Sequence, residues 1–439
     1  MDVIHHPKTR NKDDDYISID SQRQETANPF TEVQILEGHK DITRRLLKLD
    51  GNRFLSTGDD GHVIIWDPQT GRRLRTFDAH RRPVTALLLV PPRFGEGPAP
   101  LLTASADREM RLRNDDGTTR KLLEHRVAVK CLLACDDGFY SGGESLCAWN
   151  REGELVDKLP RAAENSDIVA LVGAKNDRLI AATSNNPHLD VYQVEKSPTT
   201  RLRAVSTKKL YAHREAVRCL VAVNEKLFAS GSLDGSIHLW SSHTLSHVRC
   251  LNFEETYSTE TWKMLLFEVS QLLVIGDEHL FAAVGKGFQV HNVNRAQGES
   301  LLAQRRNAHL ATVHGIAYLQ SRHLLVTCSE DATIRLWNVA LDDLQSRGKI
   351  RVRRASFSAS VKTPSLVGEL VGHSGSVLSV VDLSPIGFAS CGTDSLVLLW
   401  KEGNKEEKKR FDEFRVARTE TQCRGLKTND DAVFHIQND

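Results

Sequence analysis

The sequence predicts an all-β fold built from a repeated unit, and two observations support this. The first is the thirteen-residue phrase Phe228–Trp240, in which two strand-like segments flank Asp234-Gly235, a dipeptide typical of β-hairpin turns. The second is that the phrase occurs four times, at Phe54–Trp66, Phe228–Trp240, Leu325–Trp337 and Phe388–Trp400. Because a fixed spacing that recurs four times defines a structural unit, the repeat must be interpreted before any single residue.

Each copy of the phrase carries the same four polar groups. The aspartate lies four residues after a serine or threonine and six residues before the tryptophan, and a histidine in a short turn precedes them. Trp can donate to the hydroxyl, the hydroxyl to the histidine and the histidine to the aspartate, which leaves no buried polar group unpaired. We therefore interpret these residues as a structural network and not as a catalytic or metal site. They are His39, Ser56, Asp60 and Trp66; His213, Ser230, Asp234 and Trp240; His309, Thr327, Asp331 and Trp337; His373, Ser390, Asp394 and Trp400.

This pattern resembles the WD40 repeat family, whose units are four-stranded blades of a β-propeller. The resemblance extends from about Pro29 to Lys401, and Trp66-Asp67 is a literal Trp-Asp dipeptide. It implies an eight-bladed WD40 β-propeller over residues 28–402. Seven blades remain the alternative, because the third, fourth and sixth copies are degenerate.

In chain order, we expect residues 1–27 to be a disordered tail and residues 28–38 to supply a strand that completes the last blade and closes the ring. The second copy ends in Arg113 where tryptophan is expected, and the third has Gly143 in the aspartate place. The fourth has Asn186 and Tyr192 at the matching positions. The eight copies are expected at His39, His80, His125, about Asp167–Leu210, His213, about Leu272–Val293, His309 and His373.

Two segments depart from the repeat. The distance from His309 to His373 exceeds one blade by about 20 residues, and the excess lies in a basic loop insertion at 341–365. Residues 403–439 are expected to form a short C-terminal helix, with Phe411 and Phe414 one turn apart, followed by a disordered tail.

Composition excludes several classes of protein. The net charge is +1, so general binding to nucleic acid is not expected. The eight cysteines include no CxxC pair, which argues against a zinc site or a disulfide framework. We find no Gly-x-Ser-x-Gly, no HExxH and no phosphate-binding loop, and therefore expect no enzyme activity and no cofactor. No signal peptide or membrane-spanning run is visible, so a cytoplasmic protein without direct membrane insertion is expected.

Several stretches that depart from the repeat pattern, among them Asn28–Glu32, Leu102–Arg108, Ser141–Arg151 and Phe281–Gly287, resemble one group of WD40 proteins. That resemblance implies a non-enzymatic scaffold or adaptor subunit of a complex with DENN-domain proteins, which regulates small GTPases and autophagy. It also implies recruitment to the lysosomal membrane through a cationic amino-acid transporter.

The same resemblance implies which residues bind partners. Those assigned to the DENN-domain partner are Pro29, Phe30, Phe411, Phe414 and Arg415. Those assigned to lysosomal recruitment, in the basic loop, are Arg351, Arg353 and Arg354. A WD40 substrate receptor, or a general interaction scaffold in another assembly, remains the alternative function.

Overall fold

The structure, a computed structural model, describes residues 28–91, 98–114, 117–125, 127–159, 166–196, 202–252, 267–296, 298–339 and 361–403. Every regular element in these ranges is a β-strand, and strands β1 to β32 form eight four-stranded antiparallel sheets. The expected eight-bladed propeller is therefore confirmed, and the seven-bladed alternative is wrong. The predicted disordered tails and C-terminal helix, and most of the basic loop, lie outside the described residues.

Blades 1 to 4 each use four consecutive strands, from the inner to the outer edge. Their bounds are, for β2 to β5, Thr43–Lys48, Phe54–Gly58, His62–Trp66 and Arg73–Asp78; for β6 to β9, Val84–Leu89, Leu101–Ser105, Glu109–Arg113 and Thr119–Glu124; for β10 to β13, Val129–Cys135, Gly138–Gly143, Leu146–Asn150 and Leu155–Leu159; for β14 to β17, Ile168–Ala174, Arg178–Thr183, Leu189–Lys196 and Leu202–Leu210.

Blades 5 to 7 follow the same order, and blade 8 combines β30 to β32 with β1. Their bounds are, for β18 to β21, Val217–Ala222, Leu227–Ser232, Ile237–Ser241 and His247–Cys250; for β22 to β25, Val269–Ile275, His279–Val284, Gly287–Asn292 and Leu301–Arg305; for β26 to β29, Val313–Leu319, Leu324–Ser329, Thr333–Asn338 and Ser365–Val371; for β30 to β32 and β1, Val377–Asp382, Gly387–Gly392, Val397–Glu402 and Phe30–Leu36.

The eight inner strands share a sequence feature that the repeat phrase does not contain. Each begins with a buried β-branched residue and has a register shift directly after it. Such bulges increase local twist, which suits strands that converge on one axis. The β-branched residues are Thr43, Val84, Val129, Ile168, Val217, Val269, Val313 and Val377.

The hydrophobic core lies between neighbouring blades. Trp66 of blade 1 packs with Leu36, Val397 and Leu399 of blade 8, and equivalent clusters join the other neighbours. The outer strands are much more exposed; in β5, for example, only Phe77 is partly covered. Each blade therefore depends on the blades beside it to cover the two faces of its sheet.

The chain closes the ring through β1, which pairs with β32 from Phe30 opposite Glu402 to Leu36 opposite Val397. Phe30 is only 2% exposed, and its ring meets the ring of Phe388 edge to face at 5.1 Å. The predicted closing strand is therefore present, and it contributes to the core as well as to the backbone pairing.

The four-residue network is complete in blade 1. The Trp66 indole N–H donates to Ser56 Oγ at 2.8 Å, and Ser56 Oγ lies 2.8 Å from His39 Nε2. The His39 Nδ1–H then donates to the Asp60 carboxylate at 3.0 Å. The same three bonds, at 2.7–3.1 Å, recur in blade 7 among His309, Thr327, Asp331 and Trp337 and in blade 8 among His373, Ser390, Asp394 and Trp400.

The network also holds each aspartate ionised. Burial alone would raise the pKa of the Asp60 carboxyl. Hydrogen bonds from His39 and from the backbone N–H groups of Lys40 and His62 nevertheless lower that pKa to about 2. The carboxylate thus joins the histidine turn to the hairpin turn, and its charge is met by donors on both sides.

Blade 5 differs from the predicted chain of bonds. His213 Nδ1 lies 3.7 Å from the Asp234 carboxylate, too far for a hydrogen bond, but 2.7 Å from Ser236 Oγ. Ser236 in turn donates to Asp234 at 2.5 Å. The expected direct bond is therefore wrong here, because a hydroxyl two residues after the aspartate occupies the space between the two groups. Ser230 and Trp240 keep their predicted bonds.

Blades 2 and 3 keep parts of the network. His80 binds Asp107 at 3.0 Å and Thr103 at 2.9 Å, and the buried Arg113 takes the tryptophan position. Arg113 donates to the Gly117 carbonyl at 3.0 Å and lies 5.2 Å from the centre of a neighbouring phenyl ring. In blade 3, Trp149 still donates to Ser141 Oγ at 2.7 Å, but His125 Nδ1 bonds to the Val127 carbonyl and not to an acid.

Blades 4 and 6 replace the network. In blade 4, Asn186 donates to Thr183 Oγ1 at 3.0 Å and to Ser166 Oγ at 3.2 Å, and Tyr192 lies in the tryptophan position. In blade 6 the register places His291 opposite Leu280, at the position where blades 1, 3, 5, 7 and 8 have tryptophan. His291 is fully buried, and burial lowers its pKa to about 3.

Phe30→Ala should lower the free energy of unfolding by about 3 kcal/mol or more, because it leaves a cavity in the core between blades 7 and 8. Ile35→Ala on the same strand is the control, since Ile35 is 57% exposed. Urea unfolding of both variants is the measurement. Equal, small losses would mean that β1 is held by its backbone bonds alone.

Ser236→Ala should lower the free energy of unfolding by about 1–3 kcal/mol, because it leaves His213 and Asp234 without the hydroxyl that joins them. The control is Ser246→Ala in the same blade, where the hydroxyl is exposed and bonds only to Thr244. Chemical unfolding of the two variants tests this. A Ser236→Ala protein as stable as the control would show that His213 and Asp234 bond directly once the serine is removed.

Acidification from pH 7.5 to pH 5.5 should destabilise the fold. Burial lowers the pKa of His125 to about 4 and the pKa of His238 and His291 to about 3. Below the unfolded pKa of about 6.5, each of these histidines binds a proton in the unfolded chain but not in the folded one. Each therefore lowers the free energy of unfolding by up to about 1.4 kcal/mol per pH unit. The buried aspartates lose their contribution only at lower pH, between about 4 and 2.

The measurement is the urea midpoint at the two pH values, and His291→Phe should show a smaller decrease than the natural chain. The exposed His243 provides the control variant, His243→Ala, whose pH dependence should equal that of the natural chain. An unchanged decrease in His291→Phe would mean that His291 accepts a proton without loss of packing.

Candidate functional site

The sequence analysis assigned Pro29 and Phe30 to a partner-binding surface. The structure exposes neither side chain fully. Phe30 is buried against Phe388, so its side chain is not available to a partner. Pro29 is half-buried at the start of the closing strand. The assignment of Phe30 to partner binding is therefore corrected to a core role, because completion of blade 8 places its ring between two blades.

The other predicted partner-binding residues lie outside the described residues, namely Phe411, Phe414, Arg415, Arg351, Arg353 and Arg354. The structure does describe where the basic loop returns to the propeller. Lys362 bridges in parallel to Ala303 on the outer strand of blade 6, and its N–H donates to the Leu302 carbonyl at 2.9 Å. The loop that leaves blade 7 is thus attached at the edge of blade 6 before β29 begins.

One group of side chains in the described part of the chain is close enough to hold a metal ion, namely His80, Asp107 and Glu109. Both His80 nitrogens are already engaged, one by Asp107 and one by Thr103. Glu109 is bonded to Arg111 at 3.1 Å. The group is therefore the structural network of blade 2 with one neighbouring acid, and it is satisfied without an ion.

A pocket of about 230 Å³ lies between blades 3 and 4, at the turns that join the inner strand of each blade to the next strand. Its floor is apolar, and three carboxylates line it as well, two from blade 3 and one from blade 4. The lining residues are Leu133, Ala134, Cys135, Asp136, Asp137, Tyr140, Gly173, Ala174, Asp177, Arg178, Leu179 and Val194.

Small residues near the ends of two inner strands create this pocket. Ala134 and Gly173 occupy the register position that holds Leu89 in blade 2 and Tyr318 in blade 7. A Cβ atom built on Gly173 would meet nothing within 4 Å. Both blades that border the pocket thus lack a large side chain at this level, as does blade 5, which has Ala222 there.

The arginine that lines the pocket does not pair with Asp136 or Asp137. Arg178 directs its guanidinium away, to the carbonyls of Lys175 at 2.9 Å and Ser242 at 3.4 Å. Asp136 and Asp137 are exposed, and their carboxylates make no ion pair within the described part of the chain. The pocket is therefore acidic at its opening.

The repeat pattern does not indicate this pocket. The signals for it were present in the sequence, as the pairs Asp136-Asp137 and Gly173-Ala174 directly before two strand turns. They could not be recognised, because the relation between the two pairs depends on the register of adjacent blades.

In the described residues, no helix has the length and apolar character needed to cross a bilayer.

The fold and these surfaces can be compared with known proteins. WD repeat-containing protein 41 from Homo sapiens is 29% identical over 417 residues, which cover 87% of this chain and 90% of the human protein. The Mus musculus protein of the same name is 30% identical over 419 residues, covering 86% and 88%. The crystal structure of the computationally designed Ika8 protein matches with a TM-score of 0.62 at 20% identity, over 84% of this chain and 98% of that one, and supports the fold alone.

A model of the WDR41 β-propeller family matches residues 6–349, which is most of the chain. Together with the two mammalian relatives, this match agrees with the eight closed blades and with the resemblance of the off-repeat stretches. The chain belongs to the WDR41 β-propeller family.

Proposed function

We propose that this protein is a non-enzymatic scaffold or adaptor subunit of a complex with DENN-domain proteins, which regulates small GTPases and autophagy. Membership of the WDR41 family and the WD40 propeller architecture support a scaffold. The DENN-domain complex is the more specific part of the proposal, and it rests on the resemblance of the stretches that depart from the repeat pattern.

The observation that carries the scaffold role is how the histidines and acids of the repeat are used. In blades 1, 5, 7 and 8 each histidine, aspartate and hydroxyl of the repeat is bound within its own blade. A buried group whose donors and acceptors are all occupied holds structure and cannot readily act on a substrate. The surfaces left for function are the turns, the outer strands and the segments that extend from the ring.

The closing strand adds a geometric argument for the DENN-domain partner. Because Phe30 pairs with Glu402, the first and last described strands lie side by side in blade 8. The segments that precede Asn28 and follow Gly403 therefore begin at one sector of the ring. A single partner surface could contact both, as expected for the segment that contains Phe411, Phe414 and Arg415.

We further propose that the protein is cytoplasmic and is recruited to lysosomes through the basic loop, with a cationic amino-acid transporter as the partner. The loop leaves blade 7 after Val339 and returns at Lys362, so both its ends are held by the propeller. Arg351, Arg353 and Arg354 then supply positive charge for an acidic cytosolic face of the transporter.

A chain that ends at Gly403 should fold with an unchanged melting temperature and fail to co-purify with DENN-domain proteins. The reason is that all strands of the ring are retained while the segment with Phe411 and Phe414 is removed. Co-expression, affinity purification and mass spectrometry are the measurements. Retained co-purification would remove this segment from the interface, and loss of folding would assign it to the propeller.

The matched control keeps the C-terminal segment and replaces Arg351, Arg353 and Arg354 with serine. This variant should still co-purify with DENN-domain proteins but should disperse from lysosomes in cells. Normal lysosomal recruitment of the variant would contradict recruitment by charge. Capture of ubiquitin-ligase adaptors instead of DENN-domain proteins by the natural chain would favour the substrate-receptor alternative.

A further inference from the structure

We propose that the pocket between blades 3 and 4 binds a basic side chain, preferably arginine, which a partner protein inserts between the two blades. The proposal deepens the scaffold function, since it names the chemistry of one contact, and it does not depend on which complex the protein joins. None of the residues that line the pocket belongs to the chain ends or to the basic loop.

The size and lining of the pocket fit such a side chain. A volume of about 230 Å³ is too large for a single water and accommodates one long side chain. Leu133, Leu179 and Val194 supply an apolar wall along which a methylene stem can pack. A smaller polar ligand would leave this wall uncovered.

A buried phenol also lines the pocket. Tyr140 is 93% buried and lines the pocket, and the thiol of Cys135 is close to its hydroxyl. The phenol oxygen can therefore accept a hydrogen bond from an inserted guanidinium. Burial, the thiol and the nearby carboxylates of Asp177 and Asp137 all raise the pKa of Tyr140, which keeps the phenol protonated.

The carboxylates select a cation over a neutral side chain. Asp136 and Asp137 follow β10, and Asp177 lies on the facing turn of blade 4. Arg178, the one lining cation among the described residues, donates to carbonyls elsewhere and does not pair with Asp136 or Asp137. A guanidinium matches carboxylates with planar, paired donors, so arginine should bind more tightly than lysine.

The test uses the full chain and four probes, the Nα-acetyl N-methylamides of arginine, lysine, norleucine and glutamine. Saturation-transfer NMR and titration should show binding in the order arginine, lysine, then the two uncharged probes. Asp136→Asn with Asp137→Asn should weaken arginine binding by about 3- to 5-fold or more, as expected for partly exposed ion pairs. It should leave the norleucine signal unchanged.

A second variant tests the pocket itself without a change of charge. Gly173→Val should abolish binding, because its side chain fills the open space, and a valine is compatible with the strand. The matched control is Gly51→Val, where an added Cβ also meets nothing within 4 Å but which lies outside the pocket. Glu152→Gln, at an exposed acid outside the pocket, is the control for charge.

Three results would overturn the proposal. They are the absence of binding by the arginine probe, equal binding of norleucine and arginine, and arginine binding that survives Gly173→Val. None of these would bear on the DENN-domain complex, which is tested by co-purification. If the complex fails to form while arginine binding follows the expected pattern, the pocket remains and the assigned partner is wrong.

Discussion

The pairing of β1 with β32 is the contact on which the rest of the ring depends. Every blade has two faces to cover and relies on the blade at each side, so an open ring would expose two sheet faces and an unpaired edge. Because β1 pairs with β32, blade 8 is completed, and every blade has a neighbour on each side. Phe30 strengthens this closure, because its ring enters the core that blades 7 and 8 share. A residue near the start of the chain thereby stabilises contacts made by residues near its end.

Within this closed ring, the polar networks hold the turns of the blades in place. A histidine before the inner strand reaches the aspartate of the hairpin turn in the same blade, and a hydroxyl and an indole continue the chain into the core. The degenerate blades show that the ring tolerates loss of single networks. The tryptophan position is occupied in blades 2, 4 and 6 by Arg113, Tyr192 and His291. Burial of these side chains against neighbouring blades stabilises the blades where the hydrogen bonds are missing.

Specific function in a repeat protein is found where the repeat is broken. The network residues recur from blade to blade and therefore do not distinguish one surface from another. The pocket between blades 3 and 4 combines the small residues Ala134 and Gly173 with acids on both of the adjoining turns. The basic loop is distinctive in another way, since Lys362 attaches it to the outer edge of blade 6.

The sequence by itself determined the all-β repeat, the closing strand and most of the bonds around His39, His309 and His373, and it favoured eight blades over seven. These features follow from spacings within single blades and from hairpin turns, which are local. Only the tertiary structure decided that Phe30 is buried, that Ser236 lies between His213 and Asp234, and that His291 takes a tryptophan position. The pocket also belongs to this second group. Each of these features depends on side-chain geometry or on the register between strands. Neither can be read from the spacing of residues within one blade.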